Sequence, residues 1–172
     1  MKLPDLERAV IEVFGGCNYS CKMCPQTTGR GDNWIKKMPL TMFKDILDQL
    51  PGKPVINLDG SGEALLLPDL PRYVEACAKR GFPVFVFTNG SNLSGQYMRD
   101  IIDAGMTFIR VSCIGYDLET FKEWTGTDNF NQIRANLVET QNYITQHNKN
   151  CTLSTYHLIL DEHNIDTEVV SY

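Results

Sequence analysis

Short apolar runs alternate along the chain with longer segments of helical periodicity, and this alternation limits the possible folds more than any other feature. The runs predict strands at Arg8–Phe14, Val55–Asp59, Val84–Phe87, Phe108–Ser112 and Thr152–Leu160. Helices are predicted at Thr41–Leu50, with Thr41 as the cap, and at Pro68–Lys79, Ser94–Ala104, Leu118–Trp124 and Asn131–Gln146, with another beginning near Asn164. Such an order is typical of parallel βα units joined by right-handed crossovers.

The periodicity leaves two parallel architectures open, a doubly wound sheet and a barrel. Val84–Phe87 is apolar throughout, which fits a strand buried on both faces. Both architectures place their functional sites at the carboxyl ends of the strands, and the polar motifs of this chain follow those ends. A length of 172 residues corresponds to about one domain, so a single domain over residues 1–172 is predicted.

Charge and hydropathy bear on partners and location. The net charge is −5, which argues against a broad nucleic-acid or anionic-membrane surface because both need a basic patch. No apolar run approaches the roughly 18 residues of a membrane helix, and the first residues lack a hydrophobic signal core. A cytoplasmic, reducing compartment is therefore predicted, where clustered cysteines indicate metal ligands rather than disulfides.

Three cysteines with the spacing C-x-x-x-C-x-x-C lie in the long predicted loop Gly15–Pro39, and loops of this length in compact domains are usually functional or disordered. Cys17, Cys21 and Cys24 can hold three corners of a cubane iron–sulfur cluster. Such a cluster normally takes four thiolates, so three leave one iron open for chemistry. Zinc is the alternative. It usually takes four ligands in two pairs, whereas a single pair here has that spacing.

The cysteine triplet resembles the signature loop of the radical S-adenosylmethionine enzymes, which follows the first strand of a partial (β/α)6 barrel. The segment Gly60–Glu63 is similar to the family's Gly-Gly-Glu segment after strand 2. Thr88–Gly90 and Arg110–Ser112 resemble its endings of strands 3 and 4. The resemblance implies an α/β partial parallel barrel with five of six strands present, as a truncated or naturally short core domain.

The same resemblance implies the cofactors. Cys17, Cys21 and Cys24 would hold a [4Fe–4S] cluster, and S-adenosylmethionine would bind its open iron. Reductive cleavage would then give a 5′-deoxyadenosyl radical that abstracts hydrogen from a substrate. The electron would come from a donor such as flavodoxin or ferredoxin.

Six residues are implied by resemblance to contact S-adenosylmethionine. The residues assigned to the methionine amino group are Ser61, Gly62 and Glu63. Asn89 and Ser112 are assigned to the ribose or carboxylate, to which Thr88 also contributes. Met23 is assigned to the adenine. The alternative for the polar members is an ordinary turn or cap residue that satisfies its own backbone.

The other cysteines are isolated in the sequence. Cys77 and Cys151 are interpreted as buried structural residues, while Cys113 follows Ser112 and leaves a substrate-side role open. His157 on strand 5 is interpreted first as a structural residue. Arg30 and Trp34 in the cysteine loop are further candidates for substrate contact, although no pattern fixes them.

Two classes of function fit these observations. The first is a radical enzyme, most like the branch that modifies peptides or proteins, with a small-molecule substrate also open. The second is a non-catalytic metal-binding or partner-binding module that keeps the fold. Release of 5′-deoxyadenosine distinguishes them, because a binding module releases none.

Overall fold

Five parallel strands form one sheet in the order β1-β2-β3-β4-β5. A computed structural model describes residues 6–29, 36–115 and 117–158. The strands are β1 (Arg8–Val10), β2 (Val55–Asn57), β3 (Val84–Thr88), β4 (Phe108–Ile114) and β5 (Thr152–Leu158). A doubly wound sheet needs a point where the strand order reverses, and this order contains none, so right-handed crossovers place the helices on one side of the sheet. The partial-barrel prediction is confirmed.

Six helices connect or flank the strands in the described residues. They are α1 (Pro25–Gly29), α2 (Leu40–Gln49), α3 (Leu70–Ala78), α4 (Gly95–Asp103), α5 (Leu118–Thr125) and α6 (Phe130–Gln146). A 3₁₀ turn, Ala64–Leu66, precedes α3. None of these helices combines the length and apolar character needed to cross a membrane.

The two faces of the sheet differ in character. The face covered by helices carries buried apolar side chains, among them Ile56, Val86 and Val111. The opposite face is called the inner face below, and it also carries the apolar residues Val10, Val55, Ile114 and Leu158. Its polar, charged and aromatic side chains are Arg8, Asn57, Phe85, Phe87, Arg110, Ser112, Ser154 and Tyr156, with Asp59 just beyond the end of β2. This asymmetry follows from the alternation of side chains along each strand, and it leaves one face of the sheet for binding.

The first strand is shorter than predicted. It was expected to reach Phe14, but it ends at Val10. Ile11 N–H still donates to the Asn57 carbonyl of β2 (2.8 Å), and the backbone after it bonds with residues 36–38, through Met38 N–H to the Val13 carbonyl (3.0 Å) and Gly15 N–H to the Lys36 carbonyl (2.9 Å). Both ends of the long cysteine loop are therefore fixed to each other beside the sheet.

Other boundaries also differ from the prediction. β4 extends two residues beyond Ser112, because its pairing with β5 continues to Ile114. α2 begins at Leu40, so Thr41 lies in its first turn and is not the cap. Part of the predicted fifth strand, the helix near Asn164, and Arg30 and Trp34 lie outside the described residues.

Candidate active site

A cavity of about 470 Å³ opens at the carboxyl ends of the strands. Its walls come from the loops after β1, β2 and β3 and from the ends of β4 and β5. It brings together the nine site residues expected from the sequence, which are Cys17, Cys21, Met23, Cys24, Ser61, Gly62, Glu63, Asn89 and Ser112. Residues from four separate segments thus meet at one edge of the sheet, as expected for parallel βα units.

The cysteine loop is supported by the end of α5. Ser20 N–H donates to the Thr125 carbonyl (3.3 Å), and Lys22 N–H donates to the Trp124 carbonyl (2.8 Å). The last carbonyls of a helix lack partners within the helix, so the loop supplies hydrogen-bond donors that α5 needs. The ring of Tyr19 also packs edge-on against Phe121, with centroids 6.2 Å apart. Sequence patterns did not reveal this support, because it joins distant segments.

The three thiols face the cavity from this loop. Cys17 is exposed, and Cys21 and Cys24 are half-buried. Although Cys17 is exposed as a residue, partial burial of its thiol raises its pKa, and burial with the neighbouring thiols raises the pKa of Cys21 to about 11. A bound metal would favour the thiolate form of Cys17 and Cys21.

The arrangement of the three thiols bears on the kind of metal site they could form. Throughout the residues that the structure describes, no three His, Cys, Asp or Glu side chains converge on a point where a single metal ion would sit. The three thiols nevertheless line one cavity and influence each other electrostatically. A cubane takes one thiolate at each of its irons, so its ligands are spread around a larger group.

The segment after β2 packs directly against the start of the cysteine loop. Its backbone is held by Glu12, whose Oε1 accepts hydrogen bonds from Ser61 N–H (2.5 Å) and Gly62 N–H (3.2 Å). A Cβ atom on Gly62 would lie 2.7 Å from the carbonyl carbon of Gly15 and 2.8 Å from the Gly16 oxygen. Glycine is thus required here by contact with the cysteine loop, a reason that the sequence did not reveal.

Glu63 joins the β2 loop to the end of β3. Its buried carboxylate accepts hydrogen bonds from Leu65 N–H (3.0 Å), Thr88 Oγ1 (2.7 Å) and Asn89 N–H (2.6 Å). Burial raises the pKa of Glu63, and these three hydrogen bonds oppose that rise. The carboxylate is therefore part of the framework of the cavity wall.

Asn89 links the end of β3 to the cysteine loop. Its Nδ2 donates to Asn18 Oδ1 (2.9 Å) and lies 3.9 Å from Cys17 Sγ. Its Oδ1 accepts from Ser91 N–H (2.9 Å). The side chain is therefore fixed at the cavity edge next to the first cysteine.

Residues 11–168 match the model of a protein family described as the Radical SAM superfamily. The chain belongs to this superfamily. Its membership confirms the resemblance on which the sequence predictions rested. Radical SAM proteins use a [4Fe–4S] cluster and S-adenosylmethionine, so the cofactor prediction and that of a radical SAM enzyme are confirmed at the level of the family.

The curated relatives that match this chain are longer proteins. An uncharacterized protein of Methanocaldococcus jannaschii is 27% identical over 135 residues, which are 78% of this chain and 43% of that protein. The AdoMet-dependent heme synthase of Methanosarcina barkeri is 29% identical over 119 residues, which are 67% of this chain and 33% of the synthase. The chain thus spans less than half the length of these two relatives.

The radical SAM fold is also found in solved structures. Streptococcus suis SuiB bound to S-adenosylmethionine superimposes with a TM-score of 0.69, covering 96% of this chain and 37% of SuiB, at 18% sequence identity. At that identity the likeness concerns the fold, and it agrees with the sheet order described above.

The remaining candidates divide by location. Cys77, Cys113 and Cys151 lie in the hydrophobic core, so the structural interpretation holds for Cys77 and Cys151 and extends to Cys113. Cys113 faces the helices and not the cavity, which disfavours the substrate-side role that its sequence position left open. His157 is half-buried, with Nε2 3.1 Å from Thr155 Oγ1.

Several cavity residues were missed by the sequence reasoning, among them three on the inner face. Asp59, Phe87 and Tyr156 line the cavity from the inner face. Burial raises the pKa of Asp59, and Phe87 N–H donates to its Oδ1 (3.3 Å). Phe87 alternates along β3 with the buried residues Val84 and Val86, and this pattern was a usable signal because alternate side chains share a face.

Proposed function

We propose that this chain carries the catalytic core of a radical enzyme that cleaves S-adenosylmethionine reductively. The bound cluster and S-adenosylmethionine supply a 5′-deoxyadenosyl radical, which removes hydrogen from a substrate. The observation that carries the proposal is that all nine expected site residues line one cavity at the carboxyl ends of the strands. A flavodoxin-like or ferredoxin-like protein would supply the electron, in the cytoplasm.

The cysteines and their supports have distinct roles in this proposal. Cys17, Cys21 and Cys24 bind three irons and leave one for S-adenosylmethionine. The end of α5 holds their loop through the Trp124 and Thr125 carbonyls. Because those hydrogen bonds are made by backbone groups, the loop keeps its position with many different side chains.

The β2 and β3 loops orient S-adenosylmethionine in this proposal. Ser61 and Gly62 contact its amino group, with their backbone held by Glu12. Glu63 acts with them by fixing the segment against β3, since its carboxylate already accepts three hydrogen bonds. Asn89 and Ser112 contact the ribose or carboxylate. Met23 packs against the adenine, as a flexible thioether can.

The substrate class is a separate part of the proposal. SuiB has also been solved with the precursor peptide SuiA, which supports a peptide as one candidate. The heme synthase relative supports a small molecule equally well by its name. A fold hosts many reactions, so the substrate must be argued from the residues that face it.

Low-temperature electron paramagnetic resonance tests the proposal. Anaerobically reconstituted, reduced protein should give a cubane signal that shifts on adding S-adenosylmethionine, and 5′-deoxyadenosine should be released. Cys77→Ala is the matched control, because Cys77 is buried in the core and should leave both results unchanged. A cubane signal that does not shift, from protein that releases no 5′-deoxyadenosine, would indicate a non-catalytic module. Bound zinc without a cubane signal would contradict the proposal.

A further inference from the structure

Two arginines on the inner face share one aromatic ring. The Arg8 guanidinium carbon lies 5.3 Å from the centre of the Phe85 ring, and that of Arg110 lies 5.6 Å from the same centre. Arg8 belongs to β1 and Arg110 to β4, so the two cations approach Phe85 from different strands. Both arginines are exposed, which leaves them accessible to a ligand.

The hydrogen-bond partners of this arginine pair are neutral. Arg8 Nη1 donates to Asn57 Oδ1 (3.1 Å), and Arg110 Nε donates to Ser154 Oγ (3.3 Å). Each guanidinium has five N–H donors, so one neutral acceptor leaves most of them for other groups. In residues 6–29, 36–115 and 117–158 neither arginine forms an ion pair with a carboxylate.

Some other cations that stack on rings in the described residues have acidic partners, whereas Lys53 over Phe82 and Arg134 over Phe130 form no ion pair there. Arg99 lies over Tyr143 and pairs with Glu139 at 3.6 Å. Lys22 lies over Trp124 and pairs with a carboxylate oxygen of Glu123 at 2.8 Å. On the inner face two like charges share one ring. Burial raises the pKa of Asp59 and the Arg8 charge opposes that rise, so this carboxylate acts on Arg8 without forming an ion pair with it. An anion placed between the two arginines would relieve the repulsion between them.

The arginine pair lies directly next to the cavity. The Phe85 and Phe87 rings are neighbours, with centroids 6.2 Å apart, and Phe87 packs against Tyr156 at 5.5 Å. Phe87 and Tyr156 line the cavity, and Phe87 is paired with Arg110 across the strands. A molecule that extends from the cavity along the inner face would therefore reach Arg110 first and then Arg8.

We propose that Arg8 and Arg110 form an anion-binding part of the substrate site, so that the substrate carries a carboxylate or phosphate group. This inference rests on the proposed function, because it places the substrate on the inner face beside the cavity. Arginine suits the role because its planar fork binds carboxylate or phosphate through two parallel hydrogen bonds. Phe85 holds both guanidiniums in place, and Asn57 and Ser154 orient them.

Calorimetric titration of the cluster-loaded protein with sodium pyrophosphate, and separately with sodium succinate, tests the inference. Ionic strength is held constant so that general screening does not vary. Binding of at least one anion is expected, and Arg8→Gln and Arg110→Gln should each weaken it by about 10-fold or more. The anion that binds more tightly identifies the phosphate or carboxylate class.

Arg134→Gln is the matched control, because Arg134 is an exposed arginine stacked on Phe130 at 5.9 Å, on a helix away from the inner face. It should bind anions like the unmodified protein. Arg110→Lys keeps the charge and should weaken binding less than Arg110→Gln does, which separates loss of charge from misfolding. The inference is overturned if neither anion binds, or if all variants bind equally.

The two proposals can fail separately. Release of 5′-deoxyadenosine without binding of either anion would overturn the arginine site and leave the proposed function standing. Anion binding that depends on both arginines, with no release of 5′-deoxyadenosine, would support the arginine site and contradict the proposed function.

Discussion

Six cysteines occupy two contrasting regions of this protein. Cys17, Cys21 and Cys24 lie at the edge of the cavity, where they are exposed or half-buried. The other three, Cys77, Cys113 and Cys151, are buried in the core between the sheet and its helices. The same side chain is therefore a candidate metal ligand in one region and a small hydrophobic residue in the other.

The contrast teaches that surroundings, and not residue type, separate the two roles. Near the cavity, Tyr19 N–H donates to Cys17 Sγ (3.4 Å) and Asn89 lies beside it. In the core, burial alone raises the pKa of Cys113 and Cys151 to about 12. Burial also raises the pKa of Cys17, but the Tyr19 backbone donor opposes that rise, whereas burial is the whole cause of the rise at Cys113 and Cys151.

The largest expected effect is on iron content. Changing Cys17, Cys21 or Cys24 singly to Ala should abolish the cubane signal and most of the bound iron, because each removes one of three ligands. Cys77→Ala should keep its iron. Iron analysis and electron paramagnetic resonance measure both. Equal iron loss in all four variants would contradict the assignment of different roles to the cavity cysteines and the core cysteines.

Alkylation rates should differ next most strongly. In iron-free protein at pH 8, exposed Cys17 should react with iodoacetamide at least about 100-fold faster than Cys77, Cys113 or Cys151. The core thiols have pKa values of about 12, so they are almost wholly protonated at that pH, and the thiolate is the reactive form. Mass spectrometry of the modified peptides gives the rates.

Two further results sharpen the alkylation experiment. Each rate should rise with pH, because the thiolate fraction rises. Denaturant should remove the difference between the two sets, because it removes the burial that causes it. A core cysteine that reacts as fast as Cys17 in the native protein would show that its burial is wrongly assigned.

Gly62→Ala should destabilise the contact between the β2 loop and the cysteine loop by about 2 kcal/mol, since the added carbon meets backbone at 2.7 Å. Iron content should fall with it. Gly81→Ala is the control. Gly81 has φ of 75° with open space around its Cβ position, so that variant should lose about 1 kcal/mol and keep its iron. Denaturant unfolding and iron analysis distinguish the two.

The smallest effect is expected at the exposed ion pair between the cysteine loop and α5. Lys22→Ala removes the ion pair with Glu123. The Lys22 side chain is 54% exposed and the Glu123 side chain is 58% exposed. Exposed pairs contribute little, so stability should change by less than about 0.5 kcal/mol and the cluster should remain. A large loss of iron in this variant would mean that the loop depends on its side chains more than on the backbone bonds to α5.

Sequence patterns predicted the order of strands and helices well because periodicity is a local property. The continuous apolar run Val84–Phe87 placed β3 within one residue of its observed end, and the cysteine spacing located the cavity edge. They failed where distant segments interact. β1 ends at Val10, and the Val13 carbonyl farther along accepts a hydrogen bond from Met38 N–H, which belongs to a distant segment.

By itself, the sequence determined the parallel βα order, the three candidate cluster ligands and the segments expected to meet S-adenosylmethionine. Only the tertiary structure decided that the sheet is singly wound and that Glu12 accepts a hydrogen bond from Gly62 N–H. It also decided that α5 supports the cysteine loop and that Arg8 and Arg110 both stack on Phe85. The physical reason is the separation along the chain between the residues that interact. Periodicity and spacing are set by neighbours along the chain, whereas these contacts join residues that become neighbours only when the sheet assembles.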